Sequence, residues 1–190
     1  PRLEKILGWE FLMKEWVGHY KNIIDDAGCK SIMNYPWDWN ASTYSNNKGV
    51  SDNSEERVRM DECWCVDLNK PYPLLKNSVI EVMNIYAKEH DRFSCVHHTD
   101  FRLNRYGVDG FMSPHCDNIH HSHGQTYGYP QATVLFFLND DYEGGDFYVA
   151  EEKYTPETGS ALIFPSNFMF PHEVKKVTKG ERWSIVSWLM

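Results

Sequence analysis

The sequence predicts a mainly β domain with supporting helices (α+β), a sandwich or jelly roll whose helices pack on one outer face. Three observations carry this. Apolar residues at helical spacing are confined to the first half of the chain. After Asp91 the texture becomes short alternating or fully apolar runs broken by glycine turns. A doubly wound α/β sheet needs a helix between successive strands, and the second half shows no helical spacing at all.

Residues 3–20 place Leu3, Ile6, Leu7, Phe11, Trp16 and Val17 among charges, the pattern of an amphipathic helix or an extended N-terminal arm. Asp25-Asp26-Ala27-Gly28-Cys29 opens a short helix. Residues 40–58 are polar and turn-rich, and read as a long loop with the character of a lid. Pro71 and Pro73 precede a helix whose stripe is Leu75, Val79, Val82, Met83 and Tyr86, with Asn77 or Ser78 in its first turn. Strands follow at His98–Tyr106, Thr133–Leu138, Phe147–Ala150, Ser160–Phe164, Pro171–Val177 and Arg182–Met190. Gly144-Gly145-Asp146 and Thr178-Lys179-Gly180-Glu181 are turn signals.

A length of 190 residues fits one domain with its own core. Residues 1–95 are expected to supply helical support, outer strands and the 40–58 lid, and residues 96–190 the jelly-roll core. The net charge of −8 disfavours a nucleic-acid partner, whose phosphates call for clustered Lys and Arg. No apolar run reaches membrane-spanning length, and nothing at the start reads as a signal peptide. The five cysteines (29, 63, 65, 95 and 116) are expected as reduced thiols in a cytoplasmic setting. Cys63 and Cys65 lack a second pair at zinc-site spacing, so they are read as strand residues, one on each face.

The chemistry concentrates in His115-Cys116-Asp117, with His172 and Arg182 far downstream. Two imidazoles and one carboxylate can cap one face of an octahedral Fe(II) and leave the other face open. On a strand, residues i and i+2 share a face, so His115 and Asp117 can converge while Cys116 turns away. A third ligand must come from a neighbouring strand, and His172 opens one. Arg182 is a permanently charged fork suited to hold a carboxylate.

The order of segments around the triad carries a family resemblance. Tyr106-Gly107-Val108-Asp109-Gly110-Phe111-Met112-Ser113-Pro114-His115-Cys116-Asp117 is followed by Gly144-Gly145-Asp146-Phe147 and Gly159-Ser160-Ala161-Leu162-Ile163-Phe164-Pro165. Pro171-His172-Glu173-Val174 and Gly180-Glu181-Arg182-Trp183-Ser184 complete the series. From about residue 102 onward the chain resembles the Fe(II)/2-oxoglutarate-dependent dioxygenases of the prolyl 4-hydroxylase-like branch. The resemblance implies a double-stranded β-helix (jelly roll, cupin-like) with His115, Asp117 and His172 as catalytic iron ligands. It further implies that Arg182 pairs with the C5 carboxylate of 2-oxoglutarate, that Tyr106 donates its hydroxyl to the same group, and that Ser184 shares that pocket.

The resemblance implies hydroxylation of an unactivated C–H with succinate and CO2 as coproducts. O2 is the oxidant and ascorbate a candidate accessory. The expected substrate is a prolyl residue in a peptide or protein. Oxidation of a free amino acid or other small molecule, and a non-catalytic jelly-roll binding module, stand as alternatives.

Two positions depart from the family pattern: Phe137 stands where some relatives carry a second tyrosine, and Lys176 where a proline is usual. His120, His121 and His123 read as a polar loop, His97 and His98 as ordinary strand residues. Trp183 and Trp188 read as packing, and Lys175, Lys176 and Lys179 as a solvated hairpin.

Overall fold

A computed structural model of the chain describes residues 13–42, 44–45, 51–52, 56–118 and 128–190. Helix α1 (Asp26–Met33) starts where the Asp25 carboxylate accepts the Gly28 N–H at 2.7 Å, satisfying one donor of the open first turn. It buries Cys29 and Ile32. Helix α2 (Tyr72–Glu89) has Pro71 at its cap and Pro73 inside its first turn, where a missing N–H costs nothing. The helix therefore starts before Pro73 rather than after it, and Asn77 and Ser78 lie beyond its first turn. Leu75, Val79, Val82 and Tyr86 form its buried stripe, each apolar side chain contributing roughly 1.5–3 kcal/mol of transfer free energy.

The larger sheet runs β1 (Gly18–Tyr20), β13 (Ala161–Pro165), β9 (Ala132–Phe137), β16 (Arg182–Leu189), β7 (Phe101–Tyr106), β6 (Asp61–Cys65), β2 (Asn40–Ala41). The smaller runs β12 (Glu152–Tyr154), β11 (Phe147–Val149), β14 (His172–Val174), β8 (Phe111–His115), β5 (Val58–Arg59). Two short ladders, β3 (Tyr44–Ser45) with β4 (Ser51–Asp52) and β10 (Glu143–Gly144) with β15 (Val177–Lys179), complete the set. Every pairing is antiparallel.

Side-chain alternation makes the larger sheet the middle layer of three. Ala132, Val134, Phe136, Ile185, Leu189, Phe101 and Leu103 pack with α1 and α2 in one core. Leu135, Phe137, Val186, Trp188, Leu162 and Phe164 face the smaller sheet in a second. Strand β9 is buried at all six positions because both its faces are covered, which is why its sequence reads as an unbroken apolar run. This is the expected jelly roll with helices on one outer face. At Gly159 (φ +77°) a Cβ would collide with the Ile24 carbonyl oxygen, which lies under the turn entering β13.

Several local expectations change. Of the two readings of residues 3–20, Gly18–Tyr20 takes the extended one, edging the larger sheet against β13; residues 3–12 lie outside the described residues. His98 makes a single bridge to Leu189, and the regular strand begins at Phe101. Residues 40–58 include the short strands β2 to β5 rather than continuous loop, with residues 43, 46–50 and 53–55 outside the described residues. Cys63 and Cys65 do not straddle β6. They sit two apart, so both point into the helix-side core while Trp64 turns to the opposite face. No described helix is long and apolar enough to cross a membrane.

Candidate metal centre

Strand β8 ends at His115, and β14 begins at His172 directly across from it. Asp117 lies beyond the end of β8, so strand alternation is not what turns it inward. The Thr133 hydroxyl on β9 does so, donating to Asp117 Oδ2 at 2.7 Å while lying 2.8 Å from the Ser166 hydroxyl. His115 Nε2 stands 3.7 Å from Asp117 Oδ1, and His172 Nε2 stands 3.5 Å from Asp117 Oδ2. All three donor atoms lie within 4.8 Å of one another. Donors about 2.1 Å from one ion at right angles stand about 3.0 Å apart, so the two carboxylate contacts need shorten by only about 0.5–0.7 Å to enclose one.

The protonation states suit a cation. The His115 ring holds Nδ1 at 2.9 Å from the Ser113 carbonyl oxygen, and His172 Nδ1 lies 3.3 Å from that of Phe170. A carbonyl can only accept, so each Nδ1 carries the proton and each Nε2 lone pair faces the ion site. Burial, and then the neighbouring His172, push the His115 imidazole down to about 3 against the pull of Asp117. Burial raises the Asp117 carboxyl, but the two imidazoles and the hydrogen bonds of Thr133 and Trp188 outweigh it and hold it below the usual carboxylate range. Trp188 packs as expected and in addition supports this carboxylate.

Arg182 opens β16 opposite Tyr106 on β7 and is fully buried. Its Nη1 donates to Ser184 Oγ at 2.9 Å, so Ser184 holds the guanidinium in place. The guanidinium carbon lies 5.1 Å from the Tyr106 ring centroid and 5.4 Å from that of Phe137. Phe137 offers no hydroxyl, but it supplies a ring face to the cation. Arg182 Nε and Nη2 have no hydrogen-bond partner, and no carboxylate pairs with the side chain among the described residues. A buried guanidinium left this way is costly unless an anion completes it.

Tyr142, which the sequence did not single out, joins this group. Its buried hydroxyl also lacks a good hydrogen bond, and the nearby Arg182 partly counters the rise in its pKa caused by burial. Gly145 (φ +62°) makes the approach possible, since a Cβ there would stand 3.0 Å from both Arg182 Cδ and Tyr142 Cε2. A cavity between the two sheets is lined at once by His115, Asp117, His172, Tyr106, Arg102 and Arg182. The donor set fits a divalent iron, and the orphaned guanidinium fits the far carboxylate of a small dicarboxylate such as 2-oxoglutarate.

The remaining sequence candidates fall elsewhere. His120, His121 and His123 lie outside the described residues. His98 stacks on Phe101 at the margin of β7. Trp183 packs edge-on against Trp39 on the outer face. Lys175 and Lys179 pair with Glu173 and Glu143 on the surface. The Lys176 carbonyl accepts the Gly145 N–H at 2.9 Å.

A jelly roll with a His-Asp-His face at one end of its cavity and a buried arginine further along has the arrangement of a mononuclear metal site joined to an anion pocket. Residues 101–190 are similar to the family model of the 2OG-Fe(II) oxygenase superfamily. The chain is 38% identical over 69 residues to prolyl 3-hydroxylase 1 of Gallus gallus, covering 33% of this chain and 10% of that protein. It is 32% identical over 99 residues to a PKHD-type hydroxylase of Alteromonas mediterranea, covering 40% of this chain and 42% of that one. The chain thus spans less than half the length of these relatives. In fold it is similar to the viral collagen prolyl hydroxylase of Paramecium Bursaria Chlorella virus-1, with a TM-score of 0.68, 14% identity, and 92% and 95% of the two chains covered.

Proposed function

We propose that the protein is an Fe(II)- and 2-oxoglutarate-dependent dioxygenase that hydroxylates a prolyl residue in a peptide or protein. The observation that carries this reading is the single cavity that joins the triad to an uncompensated buried Arg182. His115, Asp117 and His172 would hold the iron, and Arg182 the C5 carboxylate of 2-oxoglutarate. When bound, the metal and cosubstrate supply oxidative decarboxylation to succinate and CO2, coupled to hydroxylation of an unactivated C–H.

The chain's own residues perform four tasks. Thr133 and Trp188 fix the Asp117 carboxylate, and the Ser113 and Phe170 carbonyls fix the two imidazoles. Ser184 aims Arg182, while Tyr106 and Tyr142 bring hydroxyl-bearing rings to the same guanidinium. Phe147, Phe164 and Leu135 wall the cavity with apolar surface that excludes water. The cavity lining, which runs from Arg102 to Val186, supports a reading in which residues 96–190 are the working core of one domain and residues 1–95 its support.

The prolyl substrate is supported by the prolyl hydroxylases among the relatives. The five unpaired cysteines are in keeping with a reducing, cytoplasmic setting. Ascorbate belongs to the proposal as an accessory reductant. The test is succinate formation from 2-oxoglutarate with Fe(II) and O2, combined with mass spectrometry of proline-containing peptides for a gain of one oxygen. Full turnover by Asp117→Ala would refute the metal assignment, and hydroxylation confined to free amino acids would move the substrate to a small molecule.

A further inference from the structure

Arg102 is a second guanidinium in the cavity, and the mechanism above gives it no task. It lies on β7 with its side chain turned to the same face as Asn104 and Tyr106, and it lines the cavity beside the triad. Its guanidinium carbon lies 5.0 Å from the Trp188 ring centroid.

The arginine is incompletely paired. The nearest carboxylate, Glu62 on β6, leaves its Oε2 3.8 Å from Arg102 Nη1, beyond hydrogen-bonding range, and that oxygen already accepts the Ser42 hydroxyl at 2.7 Å. Arg102 Nε is buried with no acceptor, and beside it on the same strand Asn104 Oδ1 is buried with no donor. A guanidinium N–H without an acceptor is expected to find one in a ligand. The charge balance agrees. With a divalent ion on Asp117 and the two imidazoles, and a dianionic cosubstrate on Arg182, the residues lining the cavity keep one positive charge, that of Arg102, which Glu62 at 3.8 Å offsets only from outside the lining.

The solvent side of Arg102 is equipped for a substrate. Trp64 is its direct cross-strand partner and shares its face. Trp64 is 44% exposed and its ring lies 6.1 Å from that of Trp188, an apolar platform beside the charge. A substrate ring can lie on Trp64 while its carboxylate reaches the fork of Arg102.

We propose that Arg102 selects an anionic primary substrate, one with a carboxylate next to the prolyl residue presented to the metal. This rests on the dioxygenase reading and names the substrate class of that same site. The test uses two pairs of probes that differ only in charge: acetyl-proline against acetyl-proline amide, and acetyl-prolyl-aspartyl amide against acetyl-prolyl-asparaginyl amide. Each is titrated calorimetrically into the Mn(II)- and 2-oxoglutarate-loaded full chain, and stimulation of succinate formation is followed in parallel with Fe(II).

The wild type should bind at least one acid about tenfold or more tightly than its amide, the order expected of a charge-assisted bidentate contact. Arg102→Gln should erase that preference, and Arg102→Lys should retain part of it. Equal affinity for acid and amide in the wild type, including failure to bind any of the four, overturns the proposal. So does an acid preference that survives in Arg102→Gln. Calorimetric 2-oxoglutarate binding, measured first on each variant, separates the two levels. If the wild type takes up no 2-oxoglutarate, the dioxygenase reading itself fails, and this inference with it.

Discussion

Thr133 Oγ1 donates a 2.7 Å hydrogen bond to Asp117 Oδ2 from the middle layer of the fold, and this bond fixes a carboxylate that lies beyond the end of its own strand. The ligand geometry therefore depends on β9 as much as on β8. Thr133→Val keeps the shape and removes the donor, and it should weaken metal binding by about 10- to 100-fold. Thr133→Ser should stay close to wild type. Competition of Mn(II) or Zn(II) against a chromogenic chelator measures both.

Arg182 is retained at a cost to the empty fold. Arg182→Met should abolish 2-oxoglutarate binding while stabilising the ligand-free protein, because a buried charge without a counter-ion gives way to an apolar side chain. A gain of about 1–3 kcal/mol is expected, read as a rise of about 2–4 °C in Tm for each kcal/mol. Loss of binding together with a lower Tm would mean that Arg182 is already compensated within the fold.

Gly145→Ala should loosen the Arg182 end of the cavity. Its φ of +62° disfavours a side chain, and the added methyl would press on Arg182 and Tyr142 together. A loss of about 1–2 kcal/mol in stability is expected from chemical denaturation, with weaker 2-oxoglutarate binding. Tyr142→Phe should weaken cosubstrate binding with little effect on stability, which separates the hydroxyl from the packing of the ring.

The thiols of Cys63 and Cys65 are pushed up to about 12, chiefly by burial on the helix side of β6. Both should resist a thiol reagent at pH 8 in the native protein and react at the rate of local or global opening. Rapid labelling of either would place it at the surface, where a zinc half-site would have to be reconsidered.

Much of this fold and site can be read from sequence because it rests on short-range periodicity and on rare residue types. The stripe Leu75, Val79, Val82, Tyr86 and the apolar run of β9 each follow from which faces are covered. His115, Asp117, His172 and Arg182 are legible because few residues can bind a cation or grip a carboxylate. What the sequence hides is long-range. Thr133 and Ser166 are ordinary hydroxyl residues until the sheet register brings them to Asp117. Tyr142 reaches Arg182 only across the bare backbone of Gly145. The parity of Cys63 and Cys65 was in plain view, since two residues apart on a strand share a face. The end of β8 at His115 was not, because Pro114-His115-Cys116-Asp117 carries no local signal for where the ladder stops.

The central claim is that the triad and Arg182 serve one bound pair, metal and 2-oxoglutarate, in one cavity. It is tested most directly by calorimetric titration of 2-oxoglutarate into the protein under anaerobic conditions, with and without Mn(II). The account predicts binding that is at least tenfold tighter with the metal present, lost in Arg182→Met, and no longer metal-dependent in His172→Ala, since coupling through a shared ligand is reciprocal. Equal binding with and without metal, or undiminished binding in Arg182→Met, would contradict it.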